Sequence, residues 1–541
     1  MFGVAEDKSK PTAAAEDVSQ QRQVTQDEYN LAKLGYKQEF YRRLGLFENW
    51  ASVFTAMNFV SGIAGLLAWV LTTGGPAPAF THWVIVGVMA VNVAFVMAEI
   101  AASYPTAGGI YFWSYRLGGD KWGPFLSWMT AWWNFSGWLC SIPSVQQNST
   151  NFLLSAVQVK CPDIELLYKG WFEFILTAIG TFIALAPNII SEKVLRWYLR
   201  FAVISAMTLF FCYNVWLPVK SSGSFRTGKE VFQGFNNGIN EGDKKQASDA
   251  YVWTIAVLFS AWVFYGFDGC VHLAEETQSA STVVARGMWL STLSSWAISV
   301  PTLIIMLFCI QDFSGIVNAS YNNNFAEYLV QVVGENGAVG LLVLLFIDST
   351  CVAAANIMSC QRVVFAISRD GVLPFSKLFR QLNKNKMPTN AGILVAVLSI
   401  AITTAVIGSS VAFTAITATG TIAANFSYLI PILARHTIGR KRFTPASWNL
   451  GRASALMGTV AILYIMFLFV VLLLPQVYPV NAQTLNYSPI CIGIVTIISL
   501  VGWIFPFGLG ARYWFHGPQR TTDAQEVTNM TVLSQAGENK V

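Results

Sequence analysis

Apolar runs of roughly 17–25 residues, the length that crosses a bilayer as a helix, recur twelve times along the chain, separated by short polar stretches. They cover about 50–71, 82–102, 122–156, 171–190, 196–218, 251–273, 285–310, 335–367, 389–408, 411–434, 453–474 and 488–510. The third and eighth are longer than a bilayer needs and are expected to tilt or to extend past it. The pattern predicts an all-α polytopic membrane protein with twelve transmembrane helices. An even number of spans puts both termini on one side.

The sixth span breaks this pattern. From Tyr251 to Thr277 it reads YVWTIAVLFSAWVFYGFDGCVHLAEET, with Gly266, Asp268, Gly269 and His272 inside seven residues. A carboxylate in hydrocarbon costs a few kcal/mol, so it rarely faces lipid. The glycines lower the cost of unwinding, and unwound backbone at membrane depth must be buried in protein or line a cavity. The expected product is a broken helix that presents carbonyls, a helix end and an acid near the midplane, as a transporter binding site does. Trp262 and Tyr265 precede the break and are candidates to cap a substrate or stack on a cation, with plain packing as the alternative. Asp268 is a candidate proton site or a buried structural acid. His272, Glu275 and Glu276 read as gate or surface residues rather than ligands.

The first span carries a row of small residues, Ser61, Gly62, Ala64 and Gly65. Small residues permit close helix packing. They also permit a break whose second half-helix offers N–H groups to an anion. Interruptions at matching places in spans 1 and 6, the first members of two successive five-helix sets, favour the break and an inverted repeat.

Composition agrees. Only 12% of the 541 residues are charged and 54% are hydrophobic, against about 25% charged in soluble domains. If the N-tail is cytoplasmic, 27 of the 34 lysines and arginines fall on the cytoplasmic side and 7 on the other. This asymmetry sets the expected orientation. The formal charge of +5 therefore reports topology, and no nucleic-acid partner is expected. With no signal peptide in view, the first span is expected to direct insertion. Eight cysteines form no CxxC pair and read as packing residues. Four scattered histidines and the lack of an HExxH or GxxxxGK[ST] motif disfavour a metalloenzyme or an ATPase. No cofactor or metal is expected.

Glu99 ends the second span, before a PTAGG turn in which Pro105 stops the helix. It reads as a structural ion pair or helix-end contact, with gating as the second reading. Asp348 and Arg362 in the eighth span are three to four turns apart, too far for a direct pair on one helix. Asn318 and Asn486 are sequons on the expected outer side, whereas those at Asn134 and Asn425 fall inside helices.

LAKLGYKQEF before span 1, SGIAG within it, AEIAASYPTAGGIYFW after span 2, GFDGCVHLAEET in span 6 and SRDGVLP after span 8 together resemble the amino acid–polyamine–organocation superfamily. More narrowly they resemble its fungal amino-acid, GABA and choline permeases, over about residues 31–516. The resemblance implies a LeuT-like 5+5 inverted-repeat core plus two peripheral helices. It implies a disordered cytoplasmic tail at 1–45, a first repeat at 46–218, an outer loop at 219–250, a second repeat at 251–436, peripheral helices at 437–515 and a C-tail at 516–541. It implies transport by alternating access rather than enzymatic turnover, with GABA or a related amino acid as the first substrate reading and choline or a polyamine as the second. A non-transporting nutrient sensor is the reading from another class. Implied binding positions are Ala64 and Gly65 for a carboxylate, Tyr265 and Gly266 for an amine and Trp262 as the closing aromatic, with Ser61 and Gly62 of the small-residue row added as binding candidates. The resemblance matches Asp268 to an acid of the relatives, and Asp268 and Glu99 are the candidate proton-coupling or gating acids. Ile63 and Ala64 stand where many relatives have Gly-Ser, which removes a hydroxyl donor. Protons and membrane lipid are the other expected partners, and the plasma membrane the expected location.

Overall fold

The computed structural model describes residues 25–240, 246–407, 412–482 and 484–522. Two compact units emerge. The smaller comprises the described residues 25–39 and 520–522. It contains α1 (Gln26–Lys33), opened by a capping box in which Thr25 and Glu28 satisfy each other's backbone N–H groups. Thr521 pairs with Gly35 and Lys37. Part of the expected disordered tail is thus helical, because an N-cap and an acidic first turn stabilise it. The rest of the tail expected to be disordered, residues 1–24, and residues 523–541 of the C-tail lie outside the described residues.

The larger unit spans Phe40–Gln519. Its main helices are α2 (Leu46–Ala56), α3 (Phe59–Thr73), α4 (Pro76–Ser103), α5 (Gly109–Lys160), α6 (Gly170–Ile190) and α7 (Glu192–Phe211). They continue with α8 (Asp249–Ile255), α9 (Leu258–Ala261), α10 (Gly269–His272), α11 (Ala280–Phe308), α12 (Phe325–Arg369), α13 (Thr389–Thr403), α14 (Ala412–His436), α15 (Ser454–Leu472) and α16 (Ser488–Ile504). Nine helices among the described residues are long and apolar enough to cross a membrane. The other three expected spans depart for visible reasons. The third, within α5, carries a dense polar run, SIPSVQQNSTN. The sixth is broken into α8, α9 and α10. The twelfth, α16, has 17 residues. The expected outer loop contributes a short helix, Gly228–Gln233, with its own capping box.

Long helices α5 and α12 form the middle of the bundle. Most side chains in the second half of α12 are buried, and so is the polar run of α5. Several of its groups find partners on four neighbours, although among the described residues neither polar atom of the Gln146 side chain does. Ser144 meets Thr417 on α14, Ser149 meets Thr350 on α12, Gln147 donates to Glu173 on α6, and Asn148 reaches the Ser61 carbonyl on α3. Close approach of α5 and α14 depends on Gly137, where a Cβ would stand 2.7 Å from the Ala424 nitrogen. By contrast α16 leaves Ile490, Ile494, Ile497, Ile498, Val501 and Ile504 exposed, as a lipid-facing peripheral helix would.

Glu99 closes the α4 end against the start of α15. It accepts from the Leu450 N–H at 3.2 Å and the Ser454 hydroxyl at 2.6 Å, and Arg435 stands 3.9 Å away. The helix-end reading of Glu99 therefore describes its contacts. Glu99→Ala strips a buried acceptor from two donors and is expected to cost about 1–3 kcal/mol. Thermal unfolding of the detergent-purified variant checks this, and an unchanged melting temperature would contradict it.

Candidate functional site

The sixth span unwinds from Trp262 to Asp268, between α9 and α10. Gly266 takes φ +87°, a left-handed conformation that only glycine adopts without strain. Its N–H donates to the Tyr428 hydroxyl at 3.0 Å. Backbone carbonyls of Val263, Phe264 and Tyr265 accept no hydrogen bond among the described residues.

The first span also breaks, one turn earlier than its small residues suggested. Helix α2 ends at Ala56, Met57 leaves helical geometry, and Asn58 is the N-cap of α3. The Asn58 side chain accepts from the Val60 N–H at 3.0 Å. Its amide donates to Asp348 on α12, with Ser61 and Ser205 also facing that carboxylate. Neither the Phe59 nor the Ser61 N–H has an acceptor among the described residues. Half-helix α3 therefore points two free donors, and the positive end of its dipole, across the break.

Both breaks border one cavity of about 30 Å³, lined by Asn58, Ser61, Gly62, Trp138, Asn148, Trp262, Tyr265, Gly266 and Asn356 among others. That is room for about one water, so the site is collapsed in this conformation. Of the expected binding residues, Ser61, Gly62, Trp262, Tyr265 and Gly266 line it. Ala64 is buried one turn further on, and Gly65 is packed: a Cβ there would meet Asn148 at 2.7 Å and Trp262 at 2.9 Å. Beyond this contact a larger cavity of about 390 Å³ sits at the far end of α3, lined by Trp69, Thr72, Gly238, Asn324 and Tyr478 among others.

Asp268 is fully buried. Its carboxylate accepts from Asn134 and Trp138 at 3.0 Å and from the Tyr428 hydroxyl at 2.6 Å, and it meets His272 Nε2 at 3.1 Å. His272 is therefore a buried partner of the acid and not a surface group. Glu275 and Glu276 are buried as well. Glu276 pairs with Arg362 at 2.6 and 3.2 Å, and Glu275 pairs with Arg369 at 3.1 and 3.2 Å. Arg42 donates to the carbonyls of Ala274 and Thr277. These contacts close the bundle at its Arg42 end. Asp348 and Arg362 thus find separate partners, as their spacing required.

Asn58, Trp138, Asn148, Asn356 and Tyr428 were not singled out from sequence, and Asn134 was noted only as a sequon inside a helix. A signal existed for the first: an asparagine inside an apolar run, FTAMNFV, is an N-cap residue.

Two interrupted helices face one small cavity, with buried ion pairs at one end, and the relatives of this chain are membrane permeases. The chain belongs to the amino acid permease family, whose sequence profile matches residues 44–497. It is 32% identical over 517 residues to the amino-acid permease BAT1 of Arabidopsis thaliana, covering 90% of this chain and 95% of that one. A BAT1 homolog of Oryza sativa subsp. japonica is 31% identical over 508 residues, covering 91% and 95%. The thiamine transporter thi9 of Schizosaccharomyces pombe is 27% identical over 515 residues, covering 90% and 86%.

Proposed function

We propose that the protein is a proton-coupled permease for an amino acid, GABA or a close relative, built on twelve spans with a 5+5 inverted repeat. The observation that carries this reading is the pairing of opposite polarities across one cavity. Free N–H groups of Phe59 and Ser61 suit a carboxylate, and the unpaired carbonyls of Val263–Tyr265 suit an ammonium group. A zwitterion satisfies both. Names of the plant relatives support the substrate class. In this reading the Arg42 end is cytoplasmic, in line with the charge asymmetry, and the conformation is closed toward the cytoplasm. Asp268 carries the coupling proton, and the plasma membrane is the location.

A second reading, an organic cation such as choline, a polyamine or thiamine, draws on Trp138, Trp262 and Tyr265 around the cavity and on the thiamine transporter among the relatives. Uptake of radiolabelled GABA into proteoliposomes, competed by amino acids, choline, putrescine and thiamine with and without an inward proton gradient, separates them. Competition by amino acids and flux that rises with the gradient support the first reading. Competition by cations alone selects the second. Binding without flux would mean a sensor.

Trp262 closes the cavity toward the larger space along α3. Trp262→Ala is expected to weaken substrate binding roughly 10- to 100-fold, the equivalent of about 1.5–3 kcal/mol of aromatic burial. Scintillation proximity binding measures it, and unaltered affinity would leave Trp262 as a packing residue only.

A further inference from the structure

We propose that Asp268 and His272 form a single proton-binding dyad, and that its proton clasps the 104–109 turn to the ion-paired seal at the Arg42 end of the bundle. The inference rests on the permease reading and adds to it where the proton sits and what it holds.

Hydrogen-bond chemistry sets the number of protons the pair holds. His272 Nδ1 lies 3.1 Å from the Ala107 carbonyl oxygen, and Nε2 lies 3.1 Å from Asp268 Oδ2. A carbonyl oxygen only accepts, so Nδ1 must carry a hydrogen. The Nε2 contact then needs a second proton, carried either by the ring as imidazolium or by the carboxyl. A neutral imidazole beside an ionised carboxylate would leave a lone pair facing an acceptor at one ring nitrogen or the other. The geometry therefore holds one proton more than that state. Both side chains are buried, His272 at 2% exposure and Asp268 at 0%, so water does not relieve the mismatch. The other titratable and charged groups around the dyad are accounted for. Tyr428 on α14 donates its hydroxyl to Asp268 Oδ1. Glu275 and Arg369, across the Ala107 peptide, neutralise each other. Tyr265 and Cys270 approach from the dyad's own segment.

The same peptide continues the chain of contacts. While the Ala107 carbonyl accepts from His272, the Ala107 N–H donates to Glu275 Oε1 at 3.1 Å, and Glu275 is the partner of Arg369. At the other end Tyr428 accepts from Gly266 N–H, at the cavity. A continuous line thus runs from Gly266 through Tyr428, Asp268, His272 and Ala107 to Glu275 and Arg369. Loss of the dyad proton breaks one of its links, either at Asp268 or at Ala107. By linkage, the form closed at the Arg42 end binds this proton more tightly than the open form. Low pH favours closure, and opening releases the proton on that side.

The test is in two parts on the full-length protein. With ring-¹⁵N histidine, the difference between wild type and His272→Gln isolates the His272 signals from those of the other three histidines. Two protonated ring nitrogens, or one protonated nitrogen together with an infrared carboxylic-acid band lost in Asp268→Asn, are expected at neutral pH. A plain neutral tautomer with an ionised Asp268 would overturn the dyad. In proteoliposomes, the ratio of gradient-driven accumulation to equilibrium exchange of GABA is expected to fall about tenfold or more in His272→Gln, within the usual range of coupling between linked sites. A merely structural role lowers both processes alike and leaves the ratio unchanged, which would overturn the clasp. Absence of GABA transport by the wild type would refute the GABA reading, and the nitrogen and carboxyl signatures would still decide the dyad.

Discussion

Replacing Arg362 by methionine is expected to be among the most damaging single changes in this protein. Arg362 is 1% exposed and its guanidinium meets both oxygens of Glu276. Removing it leaves a carboxylate buried without its cation, which costs about 3–5 kcal/mol. The pair itself need not be stabilising, since desolvation of both charges offsets most of their attraction. Converting both residues, Arg362→Met with Glu276→Met, is therefore expected to recover most of the melting temperature. The double variant still lacks a polar contact that can open and re-form, so its uptake is expected to stay low. Thermal unfolding and proteoliposome uptake on the same preparations check both statements. A single variant as stable as wild type, or a double variant with full uptake, would remove the seal from the mechanism.

Tyr428→Phe deletes one oxygen and is expected to have the second large effect. That oxygen accepts from Gly266 at the unwound stretch and donates to Asp268. Its loss orphans a buried N–H and takes one donor from a buried carboxylate, for about 1–3 kcal/mol in stability. The functional loss is expected to be larger than stability alone accounts for, roughly tenfold or more in uptake rate at saturating substrate. A misplacement near 1 Å at a binding centre costs that much or more. Initial-rate uptake normalised to folded protein is the measurement. A variant with lowered stability but unchanged rate would mean that Tyr428 only packs.

Much of the architecture was legible because membranes constrain chains so strongly. The sixth break could be read because glycines and an acid interrupt an apolar run, and few structures tolerate that. The first break was read one turn late. Small residues at Ser61, Gly62 and Gly65 look like a break, yet they serve proximity: a Cβ on Gly62 would lie 2.4 Å from Val263. The interruption itself belongs to Met57 and Asn58, and Asn58 is marked only by its capping chemistry. His272, Glu275 and Glu276 looked like residues at a helix end facing outward, because their neighbours in sequence are polar. Their partners lie elsewhere. Asn134 and Tyr428 are 134 and 160 residues from Asp268, and Arg362 and Arg369 are 86 and 94 residues from their glutamates. No local pattern encodes such pairings. The polar run in α5 was visible but carried no reading of its own, because its groups make sense only against four other helices.

The strap before α2 bears on how faithfully the proposed proton-coupled transport would run. Arg43 and Leu44 donate backbone N–H groups to the Glu276 carbonyl, Gln278 donates back to Leu44, and Arg42 grips two further carbonyls of the same turn. The half-helix that enters the bundle and the half-helix that leaves the cavity are thus stitched together at one end. Swinging one without the other would break several hydrogen bonds at about 0.5–1.5 kcal/mol each. In the proton-coupled reading, half-opened states through which protons would slip without cargo are therefore expected to be sparsely populated. The stitching ties the two halves into one part, and in that reading its tightness limits the leak.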